Sequence, residues 1–390
     1  MKFLFTPVGS QVTVYAVAPL ATAVRNAGHE VLLAVNEPLL EFAQATQLPA
    51  VSIMPEPTRH FVMNGPAKDP AQSPAHLREE MLATGRGFAR MATAALGPLL
   101  DLADDWPPDL VVGGSMSFAA GLLAARRKVP YVRHAEYLGV PTQDVDPGAA
   151  EGLRSELRDL GLAGLPDPAL FVEACPPSLR SPRAPDGQAM RWIPSNPQRR
   201  LERWMYTRPE GRRRVLITSG GHFRMLSADA MRRLVAELAA DGAEVLVAAP
   251  AKAAEEFRTE LDDGRLDDGG VRVGWMPLDA VAPTCDLVVN HGGATTAMTA
   301  LSAGAPQLIY PPNTHTKAIA QALTGYGAAL TVPPEHYGPG EDAAAAFAAG
   351  CRRILAEPRY AERARALAAE NAELPAPAGI ARTMETLAAG

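Results

Sequence analysis

The sequence predicts an α/β protein made of two doubly wound parallel-sheet domains. Three observations carry this: apolar runs of strand length without polar alternation, helical stretches between them, and a repeat of the whole pattern in the second half. A run without alternation is a strand buried on both faces, and strands separated by helices pair in parallel. Each half therefore reads as a Rossmann-like domain.

KFLFTPVGS (Lys2 to Ser10) ends in a Gly turn, and RVLITSGGH (Arg214 to His222) repeats that grammar 212 residues later. Both predict first strands. GHEVLLAV (Gly28 to Val35) and GAEVLVAA (Gly242 to Ala249) lie 214 positions apart and predict second strands. DLVVGG (Asp109 to Gly114) and DLVVNHGG (Asp286 to Gly293) form a third pair, displaced by 177. An Ala-rich helix follows each, then a proline turn and another apolar run, Val129 to Val132 and Ala305 to Tyr310.

The shrinking displacement makes the first half about 37 residues longer within Ala50 to Pro108. This insert carries Pro55, Pro57, His60, Phe61, Met63, Phe88 and Met91, a loop-forming and apolar mixture. Loops at the carboxyl ends of parallel strands hold ligands, so the insert is a candidate substrate wall. A Pro- and Arg-rich stretch, about Pro176 to Arg213, contains the linker. The predicted division is 1–195 for the first domain, 196–212 for the linker, 213–375 for the second domain and 376–390 for a last helix. Arg212 to Arg214 read as a solvated strand edge rather than a basic patch.

Composition narrows the function. A chain of 390 residues, 47% hydrophobic and 21% charged, with mean hydropathy -0.04, has the make-up of ordinary packed domains rather than a disordered chain. Lys and Arg number 37 against 43 Asp and Glu, so no basic field exists to bind nucleic acid. Cys175, Cys285 and Cys351 are scattered and odd in number, which argues against a disulfide framework or zinc site and for a reducing cytoplasm. Pro7 and Gly9 interrupt the apolar start, which reads as strand and turn rather than signal peptide. No run of about 18 apolar residues predicts a membrane span.

Two such domains predict a ligand crevice at the carboxyl edges of their sheets. The sharpest signal is Asn290-His291-Gly292-Gly293-Ala294-Thr295-Thr296, which follows a strand and opens a helix. Exposed N–H groups at such a helix start attract an anion, glycines permit close approach, and Thr295 or Thr296 adds a hydroxyl. The bland alternative is a tight turn capped by His291. A second turn, Thr218-Ser219-Gly220-Gly221, falls beside it in a doubly wound sheet, and two donor-rich loops suit a diphosphate. Gly274-Trp275-Met276-Pro277-Leu278 offers an indole on which a nucleobase would stack for about 1–3 kcal/mol if water is excluded; the alternative, and the default for such a residue taken singly, is a buried structural Trp. Neither first turn spells G-x-G-x-x-G, which disfavours a dinucleotide cofactor.

Trp275-x-Pro277, Cys285 to Gly293 and Gly304-x-Pro306, set in two Rossmann-like halves, resemble the GT-B glycosyltransferases over essentially the whole chain. More narrowly, PLATAVRNAGHEV, FARMA, DLVVGGSMS, CPPSLR, WMYTR and PLDAVAPTCDLVV resemble bacterial antibiotic glycosyltransferases, especially the urdamycin-type enzymes that form C-glycosides. The resemblance implies a dTDP-deoxysugar donor on the second domain and an aromatic polyketide acceptor on the first. It places Trp275 at the thymine and Ser219, His291, Gly292, Gly293 and Thr295 at the diphosphate; Gly220, Ala294, Pro277 and Leu278 are further donor-side candidates, and His222, after the Gly turn, is a candidate for contact with either the diphosphate or the acceptor. Ser10, Thr13, His60, Phe61, Met63, Phe88, Met116 and Tyr137 are then acceptor-side candidates. No metal or other cofactor is implied, because the helix start and His291 offset the charge on the leaving diphosphate. Displacement from the opposite face inverts the anomeric centre. The protein is expected to be a monomer or homodimer with no membrane partner.

Two departures from the resembled pattern matter. Thr13 stands where most relatives carry a His base, and an unassisted Thr is a poor base. Glu136 in Arg133-His134-Ala135-Glu136-Tyr137 is the leading substitute, with His134 and Asp144 behind it; the alternative is a solvated loop carboxylate. In Pro311 to Thr316, His315 and Thr316 replace an Asp-Gln pair that binds sugar hydroxyls, which fits a donor with fewer of them. Competing readings are an O-glycosyltransferase of the same group, a non-catalytic sugar-nucleotide-binding helper and a nucleotide-sugar epimerase.

Overall fold

The computed structural model describes residues 1–62, 74–135, 138, 144–208, 210–220, 226–260, 270–332 and 342–390. The chain divides into two compact units. The first comprises Met1–Cys175, Ser181–Arg191 and Leu374–Gly390, and the second Pro176–Arg180 and Trp192–Glu373.

In the first unit the strands are β1 (Lys2–Thr6), β2 (Glu30–Asn36), β3 (Ala50–Met54), β4 (Leu110–Gly114), β5 (Tyr131–His134), β6 (Leu170–Glu173) and β7 (Gln188–Ala189). They pair in the order β3-β2-β1-β4-β5-β6-β7, all parallel. The second unit contains β8 (Arg214–Thr218), β9 (Glu244–Ala248), β10 (Val271–Gly274), β11 (Leu287–Asn290), β12 (Gln307–Ile309) and β13 (Ala329–Thr331). These pair as β10-β9-β8-β11-β12-β13, again all parallel. Both sheets reverse direction beside their first strand, and in open sheets that switch is where ligands sit. The predicted doubly wound class holds in both halves.

The central strands are buried along their whole length because helices cover both faces. In the first unit, Phe3, Phe5, Val14, Val17 and Leu20 pack on one side, while Leu4, Val111, Phe88, Met91 and Leu122 pack on the other. The last helix, Pro377–Ala389, joins the first of these clusters through Ile380, Ala381 and Met384. Its Glu385 Oε1 lies 2.9 Å from His29 Nε2.

The insert differs from the loop-rich wall expected of it. Most of its described length is one helix, Pro74–Asp105, and Phe88 and Met91 are buried in the core instead of facing outward. Phe88, Met91, Ala92, Ala95, Leu99 and Ala103 recur at helical spacing, and that stripe overrides the turn signal of the upstream prolines. The helix rests against Asp146–Gly152, where a Cβ on Gly148 would collide with the carbonyl of Leu82.

The arginine edge also departs from expectation. Arg212 and Arg213 are exposed, but Arg214 is only 2% exposed. Its Nε donates to Glu244 Oε2 at 2.8 Å, and its Nη1 donates to the Trp204 and Thr207 carbonyls at 3.0 and 2.9 Å and to Thr284 Oγ1 at 2.6 Å. Arg214 and Glu244 are register partners on adjacent strands. A buried charge persists only when paired, and this one is satisfied on several sides.

The helix crossing generates a prediction. Gly148→Ala forces two backbones apart and is expected to destabilise the first unit by about 1–3 kcal/mol, read as a lower urea midpoint. An unchanged midpoint would show that the helices do not touch there.

Candidate active site

The second unit's site is built at its switch. Thr218 and Asn290 are register partners at the ends of β8 and β11, so the Ser219-Gly220 turn and the His291-Gly292-Gly293 turn emerge side by side. Ser219 is buried at the first turn, and Thr218 Oγ1 accepts the Gly220 N–H at 3.2 Å.

A buried amide chain shapes the second turn. Asn290, fully buried, accepts the Gly292 N–H through Oδ1 at 2.7 Å and donates through Nδ2 to Gln307 Oε1 at 2.9 Å. Gln307 Nε2 in turn donates to the Ala297 carbonyl at 3.0 Å. Strand end, neighbouring strand and following helix are therefore tied by one set of hydrogen bonds. Gly292 takes a left-handed φ of +79°, and a Cβ there would press on Ile309 and Thr316.

The turn opens helix Ala294–Ser302, whose N-cap is Gly293 with no side-chain cap. First-turn N–H groups have no acceptor within a helix, and those of Ala294, Thr295 and Thr296 have no backbone acceptor among the described residues, so they present donors to an outside oxygen. Thr295 Oγ1 is also buried without a hydrogen-bond partner among the described residues. The His291 ring fits between the two turns. A Cβ on Gly293 would come within 2.5 Å of Nε2, and one on Gly220 within 3.2 Å of Cε1. Both glycines are thus the space that the imidazole occupies.

Trp275 is half-buried after β10, and the Arg199 guanidinium lies over it at 4.3 Å from the ring centroid. Pro277 is buried and Leu278 partly so, beginning the short helix Leu278–Val281. Thr316 is buried, and its hydroxyl closes the capping box of helix Thr314–Tyr326. It accepts the Asn313 N–H at 3.1 Å and donates to the Asn313 carbonyl at 2.9 Å. That hydroxyl is engaged in the cap, which differs from the free sugar contact expected of it. His315 is partly buried, and desolvation pushes its imidazole down to about 4, so it is neutral at neutral pH.

In the first unit, Ser10 caps helix Gln11–Asn26, its Oγ accepting the Val12 N–H at 3.3 Å. Thr13 is buried and donates its hydroxyl proton to the Ser10 carbonyl at 2.8 Å, so it is a helix-start anchor here. Arg133 grips Asp146 with two bonds of 2.7 Å and donates to the Ser115 carbonyl, fixing the start of helix Asp146–Gly152 against β4. His134 is completely buried, and desolvation pushes it down to about 4 against the weaker opposing effect of the His134 and Ala135 backbone. A base needs access to the proton it takes, and this ring is sealed in the core. Asp144 is held by Arg183 through two 2.9 Å bonds. His60 is exposed and stacks edge-on with the partly buried Phe61, whereas Phe88 and Met116 are core residues. Met63, Glu136, Tyr137 and His222 lie outside the described residues.

The sequence reading missed the Asn290–Gln307 clamp and the Arg199 contact. A polar residue inside the apolar run Ala305 to Tyr310 was the available sign of the first; nothing in the linker's composition marked the second.

Models described as Erythromycin biosynthesis protein CIII-like match this chain twice, the N-terminal domain over residues 22–220 and the C-terminal domain over 232–387. The chain belongs to this family. Its members are glycosyltransferases, and the two parallel-sheet units have the GT-B fold. The L-demethylnoviosyl transferase of Streptomyces niveus is 34% identical over 98% of this chain and 97% of its own. Glycosyltransferase SsfS6 of Streptomyces sp. SF2575, solved with thymidine diphosphate, superposes with a TM-score of 0.83 at 30% identity, covering 99% of both chains. Spinosyn rhamnosyltransferase SpnG, solved with spinosyn aglycone, superposes with a TM-score of 0.84 at 28% identity over 99% of this chain and 100% of its own. Among the described residues no helix is long and apolar enough to cross a membrane.

The His291 pocket and the buried histidines each generate a prediction. Gly293→Ala displaces the His291 ring and is expected to lower turnover about tenfold or more with the fold retained by circular dichroism; unchanged turnover would show that the ring's place is immaterial. The second concerns acid. The unfolded chain protonates its histidines near 6.5 while His134 and His315 stay neutral down to about 4, so stability is full above pH 6.5 and falls as pH drops toward 4. Each ring adds a slope of up to about 1.4 kcal/mol per pH unit in that window. His134→Phe should make the fall in urea midpoint shallower, and parallel curves for variant and wild type would refute the assignment.

Proposed function

We propose that this glycosyltransferase moves a deoxysugar from a dTDP-sugar, held by the second unit, to an aromatic polyketide, with inversion at the anomeric carbon. The observation that carries the reading is the uncapped helix start at Gly293–Thr295 with the His291 ring wedged beside it. As the bond from anomeric carbon to phosphate oxygen breaks, negative charge grows on the departing diphosphate. The first-turn N–H groups, the Thr295 hydroxyl and His291 meet that charge, with Ser219 and Gly220 on the adjoining turn. Trp275, with Pro277 and Leu278, receives the thymine.

The acceptor must lose a proton as it attacks. Thr13 has given its hydroxyl to a helix cap, and His134 is sealed, so Glu136 is the base in this reading. In the sequence it stands between β5 and helix Asp146–Gly152, two elements joined by the Arg133–Asp146 ion pair. A phenolate carries its charge on oxygen and on the ortho carbon, and attack by carbon yields the C-glycoside that the urdamycin resemblance implies. The engagement of the Thr316 hydroxyl in its cap supports a sugar with few hydroxyls to satisfy.

The test is incubation with dTDP-deoxysugars and polyketide phenols. Release of dTDP with a glycoside that survives acid hydrolysis is expected; an acid-labile product would assign O-transfer, and no product across the panel would overturn the reading. His291→Ala is expected to lower kcat by about 10²–10³-fold with a much smaller change in dTDP affinity. Equal losses in both would restrict His291 to ground-state binding.

A further inference from the structure

The segment Asn196–Arg199 is fastened beside Trp275 within the second unit. Asn196 Oδ1 accepts the Asp279 N–H at 3.1 Å, and Gln198 Nε2 donates to Asp279 Oδ2 at 2.8 Å. Asp279 also accepts the N–H of Ala280 at 2.8 Å, so its carboxylate ties the start of the helix after Trp275-Met276-Pro277 to the segment. With its neighbours pinned, Arg199 extends its planar guanidinium over the indole at 4.3 Å, a cation–π distance, although its side chain is exposed. An exposed arginine has many alternatives in water; here the side-chain bonds of Asn196 and Gln198 to Asp279 keep the segment beside the indole.

We propose that Arg199 is the second wall of the nucleobase site: a pyrimidine base enters between guanidinium and indole, and the arginine moves outward by one stacking layer to cap the base. The inference rests on the reading of Trp275 as the base platform. A single contact of 4.3 Å leaves no room for a ring between the partners. An inserted base needs a separation of roughly 7 Å, two layers of about 3.5 Å each. The Arg199 side chain has the length to give that displacement while Asn196 and Gln198 hold its backbone. The planar guanidinium stacks on the face of a base as it does on an indole, so it exchanges one flat partner for another.

The experiment is calorimetric titration of the full chain with dTDP and, separately, with inorganic pyrophosphate. Arg199→Ala is expected to weaken dTDP binding about 3- to 10-fold and to leave pyrophosphate binding within about twofold, because the lost contact is to the base. Arg199→Lys, which keeps charge but loses the planar face, should fall between. Equal weakening of both ligands would place Arg199 at the phosphates and overturn the proposal, as would unchanged dTDP affinity. Trp275→Leu separates the two readings. If it weakens dTDP while Arg199→Ala does not, only the arginine's role fails; if it leaves dTDP affinity intact, the base platform itself fails.

Discussion

In the proposed mechanism the chemistry depends on a helix start that is held in place and left uncapped. Both conditions come from the same few residues. Asn290 spends its side chain on the Gly292 N–H and on Gln307, so the turn is fixed from beneath by a buried amide chain. Gly293 in the cap position brings no oxygen of its own, and the donors of Ala294 to Thr296 stay available. A Ser or Asp at that cap would stabilise the free helix and satisfy an N–H that the proposed diphosphate contact uses. The helix start has no side-chain cap, which is what the proposed anion site requires.

The second unit repeats this economy at the opposite end of its sheet. Where the strands begin, Arg214 is paired with Glu244 and reaches the carbonyls of Trp204 and Thr207. Where β11 ends, Asn290, tied to Gln307 at the start of β12, governs the turn. Polar groups buried in a low-dielectric interior are costly unless every partner is in place, and here each defines the path of one irregular segment. The amino end fixes how the chain enters the unit, and the carboxyl end fixes what it presents to a ligand. The apolar strands between them supply the stability that tolerates both.

Much of this was legible in the sequence because the two sheets obey one rule. Strands buried on both faces must be apolar throughout, so the paired runs from Lys2 and Arg214 to Val129 and Ala305 marked their own positions, and the turns after β8 and β11 had to be neighbours. The less legible features depend on tertiary partners. Phe88 and Met91 looked like pocket residues until the helical stripe from Phe88 to Ala103 set them in the core. Arg214 looked solvated because its partner Glu244 is 30 residues away. Thr316 and Thr13 each looked available for substrate, but a hydroxyl near a helix start competes for the backbone, and both serve their own caps. Burial also removes His134 from the bases that sequence position alone allowed.

The central claim is that the second unit grips a diphosphate through the amides opening helix Ala294–Ser302 beside His291. A crystal structure of the protein with dTDP tests it most directly. Phosphate oxygens should lie about 2.7–3.2 Å from the N–H groups of Gly293 to Thr295, with the His291 ring within reach of the same group. A diphosphate bound elsewhere, with those amides facing only water, would contradict the account.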